Sequence, residues 1–442
     1  MKKNLWIWAL VAATFMTACS KDNDPVQEEK QQQVTEDDFE SPDGRVVIQL
    51  GGGDYLPNAN ATVTRAPLDN TEFIKGNTIV GIYAASTTGA WTTENLLLNN
   101  RKAKVTGDKR SEENGADTSK ETAGDPDNGI PAVTAPYKIS LFDIGGTTEG
   151  QVEYYPMMST KNFTFYGYAP YATGTPTASG ANVTFENFNG SQDIIWGQGV
   201  AAPVDGTNIW VKSDYSTGTG TLTGYNAKYI RMLKYHYELN KVADTHGQTA
   251  KADKHPWVPN IAFGHKLVQL KFYVIPATEQ SKDDKGKAEH LYISNIRLQN
   301  HGKPTLAVGT GDLTFTNTDA LSMLGVTGGT TFTDIVKEGS MNPKADVLVG
   351  YLLVKPGQTT YDLQLDISPF NRTGTDPNYT YTENTAQKQK NVPVTITLDG
   401  TKTFEAGCSY NIKLGIYAMQ EVEADASLTE WKNKGDVDID VE

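Results

Sequence analysis

Short apolar runs that alternate with polar residues and stop at Gly, Pro, Asp or Asn recur along this chain, which limits it to a β-rich fold. In the first half they include 45–50 (RVVIQL), 78–84 (TIVGIYA), 137–144 (YKISLFDI), 152–156 (VEYYP) and 161–170 (KNFTFYGYAP). Val183 with Phe185, and the stretch 193–197, give two shorter ones. In the second half they fall at 267–275, 291–298, 346–354, 360–367, 392–398, 409–417 and 435–441. The first ends at Gly51-Gly52-Gly53, and 78–84 has the alternation of a strand buried on one face. Runs of this length, with turn residues between them, predict an all-β chain built of β-sandwiches. No interval repeats at a fixed period, which argues against a propeller or solenoid. Only 227–240 (AKYIRMLKYHYELN) has helical character. The stretch 102–130 is charged and rich in Gly and Asp without periodicity, and reads as a long exposed loop.

The first residues, MKKNLWIWALVAATFMTACSKDND, have a basic start at Lys2 and Lys3, an apolar run from Leu5 to Phe15, and a small-residue exit. That run is shorter than the roughly 20 residues of a membrane-spanning helix and has the form of a secretory signal peptide. Cys19 follows Thr17-Ala18 and resembles the acylated Cys of a bacterial lipobox. The alternative is an ordinary signal peptide with an incidental Cys. Residues 20–40 are polar and acidic and contain Gln31-Gln32-Gln33, so they are expected to form a disordered tether. Ser20-Lys21-Asp22-Asn23-Asp24 resembles the acidic export signal of surface lipoproteins in Bacteroides-type bacteria. The expected organisation is a signal peptide over 1–18, a tether over 19–44, an N-terminal sandwich with inserted loops over 45–255, and a C-terminal sandwich over 256–442. Pro256-Trp257-Val258-Pro259 punctuates the two halves.

The 442 residues carry a formal net charge of -14, which argues against a nucleic-acid partner. With two Cys, one in the lipobox, Cys408 has no disulfide partner. It reads as a small buried filler rather than a nucleophile. The chain has no G-x-S-x-G elbow, no H-E-x-x-H, no phosphate-binding Gly loop and no paired-Cys metal spacing. His236, His246, His255, His265, His290 and His301 lack the i, i+2 or i, i+4 spacing of metal ligands on one element. The acidic pairs Asp37-Asp38 and Asp283-Asp284 lie in polar loops, where adjacent carboxylates diverge. The expectation is no enzyme, no metal and no cofactor. Trp91, Trp196, Trp210 and Trp257 are candidate platforms for a glycan, or else core and turn aromatics.

A series of motifs in order along the chain resembles the fimbrillin family of Bacteroidales lipoproteins, subunits of type V pili. After the lipobox come Thr64-Arg65-Ala66, Phe73, Gly76-Asn77 and Val80-Gly81-Ile82-Tyr83. Tyr154-Tyr155-Pro156 and the run 165–171 (FYGYAPY) follow, then Asp193-Ile194-Ile195-Trp196. The stretch 263–272 (FGHKLVQLKF) resembles the family's F-x-H-x-L-x-K-L-x-F, with Gln269 in place of a Lys. The stretches 404–410 (FEAGCSY) and 428–431 (LTEW) complete the series. The loop at 102–130 and the insertion at 199–255 depart from the pattern.

The resemblance implies two transthyretin-like β-sandwich domains and a pilus or adhesin role at the outer membrane. It also implies that a protease cuts after an Arg, removes the first strand, and opens a groove for a strand donated by the next subunit. Arg65, with Ala66 after it, suits the cut, and Val46, Val47, Ile48 and Leu50 suit the displaced strand. Arg45 precedes the same strand and is an alternative cut site. Val437, Ile439 and Val441 share one face of 435–441 and are the donor candidate. The alternative is that this strand closes its own domain. Implied partners are other fimbrial subunits, the membrane through lipid on Cys19, and a host or bacterial surface receptor. The competing function is a monomeric surface lipoprotein that binds glycan or a host ligand.

Overall fold

The computed structural model describes residues 33–53, 78–109, 137–157, 161–178, 180–199, 224–231 and 234, 258–275, 291–298, 302–316, 321–322, 324–325, 333–334, 347–375, 378–398, 402–418 and 421–429. Nine strands come first: β1 (Leu50–Gly53), β2 (Ile79–Ser86), β3 (Leu96–Lys109), β4 (Tyr137–Leu141), β5 (Phe163–Ala169), β6 (Gly174–Thr177), β7 (Gly180–Thr184), β8 (Ile195–Gly199) and β9 (Asn260–His265). Seven of them form a closed barrel in the order β1-β4-β3-β2-β5-β8-β9. The sandwich expected for the first half is therefore closed along both edges. Every antiparallel step reverses direction, so a ring of seven strands cannot close antiparallel throughout. The same-direction pair is β1 with β9, where Gly51 pairs with Asn260 and Gly53 with Ala262. Val80, Ile82, Ile139, Phe165, Ile195 and Phe263 are among the side chains that fill the ring.

Strand β2 is buried along nearly its whole length rather than on one face. Val80, Ile82 and Ala84 point into the barrel, while Tyr83 and Ala85 join a second cluster on its outer surface. A four-stranded sheet supplies that cluster with Val183 and Leu306. The sheet combines β6 and β7 with β12 (Lys303–Ala307) and β13 (Asp312–Thr316).

The remaining strands are β10 (Val268–Ile275), β11 (Leu291–Leu298), β14 (Leu321–Ser322), β15 (Leu324–Gly325), β16 (Thr333–Asp334), β17 (Val347–Val354), β18 (Thr360–Thr375), β19 (Asn378–Glu383), β20 (Gln389–Thr397), β21 (Ser409–Ala418) and β22 (Glu421–Thr429). One sheet runs β15-β17-β10-β21-β22, and a second is built on β11 and β18 with β14, β16, β19 and β20. Leu270, Phe272 and Ile412 of the first pack with Leu363, Leu365 and Ile396 of the second, as in a β-sandwich. The all-β expectation holds. Core membership changes from barrel to sandwich between Phe263 and Val268, so β9, beyond Pro259, is still a barrel strand.

Several sequence expectations need correction. The tether expected over 19–44 is ordered chain from Thr35 on, because Phe39 packs on the barrel core and acidic side chains find cations. The glycines at 51–53 belong to β1 rather than ending it. The long loop expected at 102–130 begins as β3, whose Ala103 and Val105 are fully buried between β2 and β4. The strands expected at 45–50 and 152–156 make only isolated bridges, Val46 to Glu40 and Val47 to Tyr154, before β1 begins at Leu50. The helical character at 227–240 is seen at 227–231 and again at Lys234, with Tyr229 and Ile230 buried against the barrel core.

Candidate functional site

The segment from Thr35 to Gly53 is laid into the barrel as a hairpin followed by a strand. The Thr35 amide donates to Asp38 Oδ2 at 2.6 Å and closes the first turn. The chain then reverses at Ser41–Arg45, where the Ser41 amide donates to the Arg45 carbonyl at 2.9 Å. Gly44 takes φ +80 in this turn, a conformation that a side chain would strain. The Val47 amide donates back to the Phe39 carbonyl at 3.0 Å. On the other side, the Ile48 amide donates to the Glu153 carbonyl at 2.7 Å and the Tyr155 amide to the Val46 carbonyl at 3.0 Å. β1 continues this path between β4, where Leu50 faces Ile139, and β9.

Val46, Val47, Ile48 and Leu50 are 0–3% exposed. Val46, Ile48 and Leu50 alternate into the barrel core, while Gln49 turns the other way and donates to the Asp37 carbonyl at 2.8 Å. Full burial of one such aliphatic side chain is worth about 1.5–3 kcal/mol. Tyr155 lies beneath the segment, edge-on to Phe165 at 6.2 Å. Burial pushes its phenol well above the ordinary tyrosine value.

Charge fixes the hairpin from outside. Lys138 Nζ meets Glu36 Oε1 at 2.8 Å and Asp37 Oδ2 at 2.6 Å, and Ser140 also donates to Glu36. Arg231 pairs with Glu40 at 2.6 Å and also reaches the Gly44 carbonyl. The Arg45 guanidinium lies 4.0 Å from the Tyr154 ring centroid and pairs with Asp43 at 2.7 Å. Burial alone would lower the Lys138 ammonium, but the hydrogen bonds and charges of Asp37 and Glu36 outweigh it and raise the group. A raised pKa adds stability below the ordinary lysine value of about 10.4, lost as pH climbs through the folded-state value. Residues 35–45 should therefore stay protected from proteolysis at neutral pH and loosen as strong alkali deprotonates Lys138. Lys138→Met should loosen them at pH 7 by about 1 kcal/mol. Hydrogen exchange at Val47 and Ile48 measures both effects.

Cys19, Arg65, Ala66, Val437, Ile439 and Val441 lie outside the described residues, as do Trp210, Trp257 and every His except His265. Arg65 falls between the end of β1 and the start of β2. His265 is buried against Asp193. Trp91 is packed between Tyr83 and Tyr166, with ring centroids 5.5 and 5.1 Å away. Trp196 donates its Nε1 to the Val308 carbonyl at 2.8 Å. These two Trp are core and support aromatics, not platforms. Cys408 is buried, and burial pushes its thiol up, away from nucleophile chemistry. Among the described residues no three His, Cys, Asp or Glu are placed to hold a metal. The cations Lys138 and Arg231 escaped sequence reasoning, since nothing local links them to acids far away in the chain.

Comparison with known proteins gives no matching family model and no matching curated protein. Among solved structures, a candidate cell adhesion protein from Bacteroides uniformis aligns over 89% of this chain and 100% of its own, at 15% identity and a TM-score of 0.41. Another from Parabacteroides distasonis covers 88% and 97% at 8% identity and a TM-score of 0.39. The fimbrial anchor protein Mfa2 from Porphyromonas gingivalis covers 87% and 98% at 7% identity and a TM-score of 0.33.

Proposed function

We propose that this chain is a structural and adhesive subunit of a cell-surface fimbria. Lipid on Cys19 delivers it to the outer membrane. Cleavage between Arg65 and Ala66 then detaches the segment that carries Val46, Val47, Ile48 and Leu50, and a strand of a neighbouring subunit takes its place. The observation that carries this reading is the position of β1. It supplies the ring's parallel seam, which is the less stable pairing per residue, and the barrel cannot close without it. A barrel lacking that strand exposes unpaired backbone groups on both β4 and β9, an edge made for strand addition.

The donor candidate suits the seat in two ways. Val437, Ile439 and Val441 repeat the spacing of Val46, Ile48 and Leu50, so one apolar row replaces another. Loss of the N-terminal segment also strips Glu36, Asp37 and Glu40 from Lys138 and Arg231. Two cations then stand beside a vacated seat, and Asp436, Asp438 and Asp440 bring acid to it. N-terminal sequencing of sheared filaments tests the reading. Subunits that begin at Ala66 support it. Filaments built only of chains blocked at an acylated Cys19 would overturn the processing step.

A further inference from the structure

A second recess, of about 490 Å³, opens between the 170–173 turn, the outward side chains of β6 and β7, and Gln192. None of its lining residues belongs to the strand seat. Its size falls within the roughly 300–1,000 Å³ of small-ligand sites. Three large apolar side chains among the described residues are notably exposed, and Tyr171, at 40%, is the aromatic one. It stands at this recess.

The lining is held in place from below. Tyr168 Oη and Asn100 Nδ2 donate to the Ala172 carbonyl at 2.6 and 2.9 Å, which pins the turn that carries Tyr171. Asn182 and Thr184 project on the same face of β7, a strand paired on both sides by β6 and β12. Thr175 stands directly across from Asn182, within cross-strand reach. Thr184 is further fixed by a 2.9 Å hydrogen bond to Thr305. Phe185, nearly buried, gives the recess an apolar edge.

The chemistry of this lining selects its ligand. Hydroxyls and amides offer both donors and acceptors beside one exposed ring. Glu186, the charged residue among the described lining, is paired with Lys303 at 2.7 Å, so the cation at the rim is neutralised and a metal ion finds a single carboxylate. A fully apolar molecule would strand the amides. We infer that the recess is a binding site for a neutral saccharide, whose hydroxyls meet Asn182, Thr175 and Gln192 while one sugar face rests on Tyr171. The inference does not depend on strand exchange, since no described lining residue lies in the segment that strand exchange removes. In a filament, many weak sites would act together through avidity.

The test uses the detergent-solubilised full chain on an immobilised panel of neutral, sialylated and sulfated oligosaccharides. Neutral members should bind, and Tyr171→Ala and Asn182→Ala should each weaken that binding about tenfold. Asn182 is exposed, so its variant should melt at the wild-type temperature and separates ligand contact from folding. Failure of every neutral saccharide, binding to acidic members alone, or wild-type binding by both variants would overturn the assignment. None of these outcomes bears on whether filaments form.

Discussion

An Arg65→Ala protein is expected to reach the outer membrane and remain there as a lipid-attached monomer, with filaments reduced to background in electron micrographs. The reason lies in what stays attached. Without the cut, 46–53 remains joined to the chain and the ring keeps β1 between β4 and β9, with no open edge for a partner. Arg45 provides the control. It sits in the hairpin turn, paired with Asp43 and stacked on Tyr154, and a cut after it would detach the hairpin with its ion pairs to Lys138 and Arg231 but leave the core-filling strand in place. Val46 to Gly53 would still be covalently part of the subunit, so Arg45→Ala should assemble normally. Wild-type filaments from the Arg65→Ala strain would move the cut elsewhere.

Cleavage alone should not empty the seat. Four buried aliphatic side chains hold the strand by about 6–12 kcal/mol on the transfer scale, an upper bound because unfolded chains already bury some surface. A detached strand held this tightly leaves slowly. Replacement by an incoming strand, in which new pairing forms as old pairing breaks, avoids exposing the whole seat at once. Cut monomers in isolation should therefore retain the N-terminal peptide on native gels and lose it in denaturant.

Much of this arrangement was legible in the sequence, and particular residues show where legibility ended. Val268, Leu270 and Phe272 alternate, so strand and core face followed from spacing alone; Val46, Ile48 and Leu50 alternate into the core too, but of these only Leu50 lies in a strand. The double burial of β2 did not, because the sheet that covers Tyr83 and Ala85 comes partly from β12, far along the chain. β3 looked like loop because Ala103 and Val105 are isolated among charges. Pairing with two neighbours, not composition, makes that stretch a strand. β22 (EVEADASLT) has almost no apolar period and is carried by its ladder with β21. Ring closure was beyond local reading for the same reason. It depends on Gly51 finding Asn260, and a glycine strand has no side-chain pattern to announce its partner.

Ile48→Asp separates a strand that is a temporary occupant from one that is a permanent part of the subunit. Ile48 is 3% exposed inside the barrel, and the cations near the segment face its outer side, toward Glu36, Asp37 and Glu40. A carboxylate there is unpaired and desolvated, at a cost of about 4 kcal/mol or more. The uncleaved monomer should therefore unfold at a markedly lower temperature and yield fewer filaments. Mature subunits that start at Ala66 do not contain residue 48, so the filaments that do form should melt as wild type does. Leu363→Asp, an equally buried change in the C-terminal sandwich, should destabilise monomer and filament alike. Calorimetry on both species reads the contrast. Ile48→Asp filaments that come apart below the wild-type temperature would place Ile48 inside the mature subunit, and strand exchange at this seat would have to be abandoned.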